Sequence, residues 1–128
     1  MAARYWSDKD ALRSKKTATI PTDVARAVCT RWPERGPAWC ELVGAEFAEL
    51  GNRYRARPLQ FMKSRYGLVV SAEIANGRAL VLKSTPDPAG ALQAAAAQQL
   101  AELRVGPTVH EVVESTIGTW TVMDLVRP

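Results

Sequence analysis

Leu68-Val-Val-Ser-Ala-Glu-Ile-Ala-Asn-Gly-Arg-Ala-Leu-Val-Leu-Lys83 is the stretch that decides the fold. Two apolar runs, residues 68–74 and 78–84, flank Asn76-Gly77. Both turn positions tolerate positive φ, so the pair favours a type I′ turn whose twist suits a two-residue hairpin. The stretch predicts two antiparallel strands, with the ammonium of Lys83 delivered to a fixed point near the end of the second. Upstream, Pro58-Leu-Gln-Phe-Met-Lys-Ser64 alternates as an earlier strand, and Arg65-Tyr-Gly67 breaks it. Downstream, Pro86-Asp-Pro88 interrupts the chain, and residues 89–104 are rich in Ala, Gln and Leu, the strongest helix signal present. Gly106-Pro107 ends that helix. Thr108 to Ser115 and Thr119 to Val126 then read as two more strands around Thr116-Ile-Gly118. The expected class is α+β, with a five-stranded, mostly antiparallel sheet and one inserted helix.

Two helices are expected before this sheet. Pro21-Thr22-Asp23 supplies a helix start, and Val24, Ala27 and Val28 follow at helical spacing up to Trp32. After Pro33 and Gly36-Pro37, Trp39, Leu42, Val43, Phe47 and Leu50 recur at steps of three and four, which predicts a helix from Ala38 to Leu50 stopped by Gly51-Asn52. Trp32 and Trp39 fall at core positions of these helices. Residues 1–20 read as a polar arm with one helical turn at 10–13. The organisation is an arm (1–20), a helical extension (21–57) and the sheet unit (58–128).

Composition narrows the function classes. The 128 residues carry a net charge of +4. Residues 1–64 hold 12 Lys/Arg against 7 Asp/Glu, and residues 65–128 hold 5 against 6. An excess this small does not point to nucleic acid. No apolar run approaches the ~20 residues of a membrane span, and the first residues lack the apolar core of a signal peptide. Cys29 and Cys40 fit no metal spacing and read as buried free thiols of a cytoplasmic protein. Arg53-Tyr-Arg-Ala-Arg57 reads as a solvated connector between helix and sheet, and His110 as a strand residue rather than a ligand.

Four motifs in this order carry a resemblance: Arg65-Tyr-Gly67, Ala79-Leu-Val-Leu-Lys83, Leu103-Arg-Val-Gly-Pro107 and Trp120-Thr-Val-Met-Asp-Leu-Val-Arg-Pro128. Over residues 37–128 the chain resembles the N-terminal lobe of the aminoglycoside and hydroxyurea antibiotic phosphotransferase family, a protein-kinase-like fold. The resemblance implies ATP, with magnesium, as cofactor. Ser64, Arg65 and Gly67 would form the loop over the phosphates, and Lys83 would contact the α- and β-phosphates. Met123 would back the adenine pocket, with the Asp124 carbonyl and the Val126 amide as hinge groups. Kinase-like folds pair the strand lysine with a helix glutamate, and here the matching position is the neutral Gln93. The family's catalytic base and magnesium ligands lie in a second lobe that these residues do not supply. The resemblance therefore implies a truncated kinase lobe, inactive alone, with a second lobe or another copy covering the sheet and hinge face. The alternative is a non-enzymatic interaction module derived from such a lobe, binding a protein partner or nucleic acid.

Overall fold

In the computed structural model, which describes residues 3–6, 20–62 and 64–126, the chain runs β1 (Ala3–Trp6), α1 (Thr22–Arg31), α2 (Arg35–Tyr54), β2 (Arg57–Met62), β3 (Leu68–Glu73), β4 (Ala79–Thr85), α3 (Gly90–Glu102), β5 (Val109–Ser115) and β6 (Gly118–Asp124). The expected α+β architecture is present: α1 and α2 precede the antiparallel strands β2 to β6, and α3 is inserted after β4. The sheet order is β1-β5-β6-β4-β3-β2, so the last strand in sequence sits between β4 and β5.

One strand was not expected. Residues 3–6 add to the sheet edge in parallel with β5, from Ala3 opposite Val112 to Trp6 opposite Ser115. Four residues carry too little pattern to announce a strand, and what selects them is the open edge of β5, more than 100 residues away in sequence. The helical turn expected at 10–13 lies outside the described residues.

Period-two alternation sends side chains to opposite faces of the sheet. On one face Leu68, Val70, Ala72, Leu80, Leu82, Val113, Trp120 and Val122 meet Val24, Val28, Trp39, Leu42, Val43, Phe47 and Leu50 of α1 and α2, forming the main core. Both buried indoles satisfy their N–H groups: Trp39 donates to Ser84 Oγ at 2.9 Å, and Trp120 to the wholly buried Glu46 Oε1 at 2.9 Å. Phe47 stacks on Trp120 with centroids 6.1 Å apart. Of the two tryptophans expected in the core, Trp39 is fully enclosed, while Trp32 is half-buried at the rim. On the other face α3 lies close to the sheet through Ala94, Ala97 and Ala101, which pack with Val109, Val112 and Met123. The alanines permit that approach because they add no bulk between helix and strands.

Three local details differ from expectation. The β3–β4 hairpin holds a three-residue loop, not a type I′ pair: Gly77 N–H donates to the Ile74 carbonyl (2.9 Å) and Ile74 N–H to the Arg78 carbonyl (2.9 Å). Only Gly77 has positive φ (81°). Ala75 enters the turn, and Asn76 Oδ1 accepts the Arg78 N–H at 2.9 Å, which holds Asn76 on the negative-φ side. This is a type I turn closed by a left-handed glycine. Second, α2 starts three residues early and passes through Gly51-Asn52 to Tyr54. Pro37 is tolerated because the first turn's N–H groups have no helical partner. The final turn is held by Arg53 Nη1 and Tyr54 OH, each 2.7 Å from the Glu111 carboxylate on β5, and Arg55 (φ 49°) then ends the helix. The 53–57 cluster, expected as a solvated connector, is one only at Arg55 and Ala56: Arg53 and Tyr54 belong to α2, and Arg57 opens β2, bridging Glu73 at 3.2 Å. Third, β2 ends at Met62, short of Ser64.

Cys29 and Cys40 are free and half-buried, one on each N-terminal helix, with Sγ atoms 3.7 Å apart. Burial first, and then the contact with Cys29, pushes the Cys40 thiol up to about 12.

Candidate functional site

Lys83 stands on β4 opposite Thr121 of β6 and Val69 of β3. By alternation it projects to the α3 face, together with Met123, Thr121 and Thr119. The Pro86-Asp-Pro88 turn and the start of α3 close one side. The result is a pocket of about 480 Å³ that brings Ser64, Gly67, Lys83, Gln93 and Met123 together. Five of the residues singled out from sequence thus share one cavity. Arg65 does not join them: it lines an adjoining hollow against α1. Asp124 and Val126 lie outside both, at the end of β6 and just after it.

The loop from Ser64 to Gly67 is held against β4 by backbone proximity. A Cβ built on Gly67 would lie 1.9 Å from the Ser84 carbonyl oxygen, so no side chain fits there. Thr85 Oγ1 donates to the Tyr66 carbonyl at 2.5 Å. On the other side of β4, a Cβ on Gly118 would lie 2.5 Å from the Thr85 carbonyl oxygen. The two glycines therefore let the loop and β6 close on the Ser84–Thr85 backbone. The close approach that Gly67 makes within the chain is to Ser84.

Lys83 is exposed and has no ion-pair or hydrogen-bond partner among the described residues. Gln93 lines the same pocket but donates its amide to Asp87 Oδ2 at 3.3 Å. Asp87 Oδ1 meanwhile accepts the Ala89 N–H at 2.9 Å, so both carboxylate oxygens are committed to the approach to α3. The loop before the helix, not the helix itself, thus holds the acidic group of this pocket.

Asp124 carries a structural duty through its side chain. Its Oδ1 accepts from His110 Nε2 (2.7 Å) and from Arg78 Nη2 (2.9 Å), tying β5 and the hairpin to the end of β6. The His110 hydrogen bond first holds its carboxyl below the ordinary 3.8; burial, next in size, opposes this, and the charges of His110 and Arg78 add to the lowering. His110 is therefore a satisfied strand residue, as expected, seated where β5 bulges between Val109 and Glu111. The backbone N–H groups of Asp124 and Leu125 are engaged by the Thr108 and Ala79 carbonyls. Val126 follows in the open.

Sequence reasoning missed Arg31, Tyr66, Thr85, Asp87, Thr119 and Thr121 in this pocket. The alternation Thr119-Trp-Thr-Val-Met123 does signal that the threonines share a face with Met123. Arg31 has no such signal, since only the packing of α1 brings it there. Among the described residues no group of three or more His, Cys, Asp or Glu is placed to hold a metal, and no helix is long and apolar enough to cross a membrane. No protein-family model matches the chain, and no curated protein matches it either.

Proposed function

We propose that this chain is a nucleotide-binding lobe of the kind found in the aminoglycoside and hydroxyurea phosphotransferases, whose full-length members transfer phosphate from ATP to a hydroxyl of an antibiotic-like small molecule. The observation that carries the reading is Lys83. Its ammonium, without a carboxylate partner, opens into a pocket roofed by the Ser64–Gly67 loop and backed by Met123. Strand order supports it too, because β6 lies beside β4 and so puts the Met123–Val126 segment next to the lysine strand. The pocket residues fit a phosphate chain in polarity: a compact ammonium, three threonines, two serines and exposed loop backbone, with Asp87 the one acid of the lining. ATP would supply the transferable phosphoryl group. This chain's residues would bind and orient it, with Lys83 on the α- and β-phosphates and the adenine edge toward Asp124 and Val126.

The reading assigns binding to these residues and leaves phosphoryl transfer to groups elsewhere. Gln93 in place of a glutamate holds Asp87 instead of Lys83, so the ammonium lacks the charge-assisted clamp that active kinases use. ATP should therefore bind weakly but saturably. The test is a titration of tryptophan fluorescence and heat with ATP, with and without magnesium, on the wild type and Lys83→Ala. Saturable binding that Lys83→Ala abolishes supports the proposal. No saturable binding, or equal binding by the variant, overturns it.

A second reading, a non-enzymatic interaction module, draws on the outer face of α3 and its following turn. Leu92 (76% exposed), Leu103 (72%) and Val105 (71%) stand bare there, and exposed apolar side chains of this kind can seat a partner. A strictly monomeric chain by light scattering, with Leu92→Lys and Leu103→Lys changing nothing but solubility, would count against this reading.

A further inference from the structure

Arg31, in the last turn of α1, lines the Lys83 pocket and also the adjoining hollow of about 620 Å³ that holds Arg26, Arg65 and Tyr66. Resting on the nucleotide reading above, we infer that Arg31 is a second phosphate-binding cation of this pocket. The helical extension would thereby select nucleoside triphosphates over monophosphates.

Three observations support it. First, Arg31 and Lys83 come from different elements yet face one cavity, and neither has a carboxylate partner among the described residues. The one acid lining that cavity, Asp87, is committed to Ala89 and Gln93. Asp87 keeps its charge, but two cations against one carboxylate still leave this concavity net positive, which attracts a polyanion. Second, Arg31 is already placed. Its guanidinium carbon lies 5.7 Å from the Trp32 ring centroid, and a guanidinium resting on an aromatic face keeps its N–H edges free to donate. Third, the same tryptophan meets Tyr66 edge-on at 6.2 Å, and Tyr66 belongs to the loop pinned by Thr85. Through Trp32 the exposed Arg31 is thus linked to the loop, and resting on a ring lowers the ordering cost of engaging a ligand. Two cations facing one cavity offer a phosphate chain more than one anchoring point. A monophosphate has only one group to offer them, so it gains less from the second cation.

Calorimetric titrations of the full chain with ATP, ADP and AMP test this on wild type, Arg31→Ala, Arg31→Lys, Lys83→Ala and Arg57→Ala. The last removes one positive charge from the exposed edge strand and controls for net charge. Expected is a loss of about tenfold or more in ATP affinity for Arg31→Ala, with AMP affinity changed less than about twofold. Arg31→Lys should fall between, because it keeps the charge and loses the planar fork. Circular dichroism verifies folding, and Arg31→Gln replaces Arg31→Ala if that variant unfolds. Wild-type ATP affinity in Arg31→Ala, with Lys83→Ala still defective, overturns the inference and leaves the nucleotide reading standing. Equal losses for ATP and AMP overturn it as well, since Arg31 would then act only by shaping the pocket. A matching loss in Arg57→Ala also overturns it, by reducing the effect to bulk charge. Absence of saturable ATP binding in the wild type removes both.

Discussion

Gly67→Ala is the sharpest test of how the loop over the pocket is held. The added Cβ would stand 1.9 Å from the Ser84 carbonyl oxygen and 3.0 Å from the Ser84 carbonyl carbon and Thr85 Cα. Carbon–oxygen contacts normally settle at about 3.3 Å or more, so the backbones must part by more than about 1 Å. All three obstructing atoms are backbone in a paired strand, so no rotamer change relieves the clash. Overpacking of this kind costs about 1–3 kcal/mol. The parting also endangers the Thr85–Tyr66 hydrogen bond, worth about 1 kcal/mol. The expected total is about 2–4 kcal/mol. Urea denaturation followed by circular dichroism measures it, with two other glycines as controls, because at each an added Cβ meets nothing within 4 Å. Gly77→Ala, at φ 81°, should lose only about 1–2 kcal/mol for the left-handed conformation. Gly51→Ala, inside α2, should gain about 0.5–1 kcal/mol. A Gly67→Ala variant within 1 kcal/mol of the wild type would refute the close approach of this loop to β4.

Two further outcomes follow from buried and paired polar groups. Trp120→Phe removes the indole donor to the buried Glu46 carboxyl and should cost about 2–3 kcal/mol by urea denaturation, whereas Trp39→Phe should cost about 1 kcal/mol because it takes a donor only from the neutral hydroxyl of Ser84; the reverse ranking would refute the argument. The folded-state carboxyl of Asp124 titrates below its ordinary 3.8, so its contribution is fully present above that value and fades as pH falls through the depressed folded value. Asp124→Ala should therefore be less stable than the wild type at pH 7, with the gap shrinking in acid below about pH 4. A gap that stays constant into strong acid would show that the carboxylate's charge plays no part.

Much of this architecture could be read from local pattern. The β3, β4, β5 and β6 strands and α3 announce themselves through alternation, alanine content and Gly-Pro punctuation, and the structure keeps those elements within a residue or two. What local pattern missed was decided at a distance. The last turn of α2 persists past Gly51-Asn52 because Arg53 and Tyr54 reach Glu111, 58 and 57 residues onward. Residues 3–6 form a strand because β5 offers an edge. Asn76 failed as a type I′ residue for a local reason, its own side chain capping Arg78. The pocket was half legible: Lys83, Met123 and Gly67 came from the family resemblance, and alternation puts Lys83 and Met123 on one face, while Arg31 depends on how α1 docks.

The place of β6 in the sheet bears on how the chain is made. Strands β2, β3 and β4 are consecutive and can pair as they leave the ribosome, and so can the β5–β6 hairpin once both of its strands are out. The two halves join only through β6 against β4. Until residues 118–124 emerge, the nascent chain presents two open strand edges and lacks Trp120, whose ring covers Phe47 and closes the core. Synthesis at roughly 5–20 residues per second leaves that half-sheet exposed for seconds. The interval in which this protein is most open to chaperones, proteases and mispairing is therefore set by the time needed to translate α3 and β5.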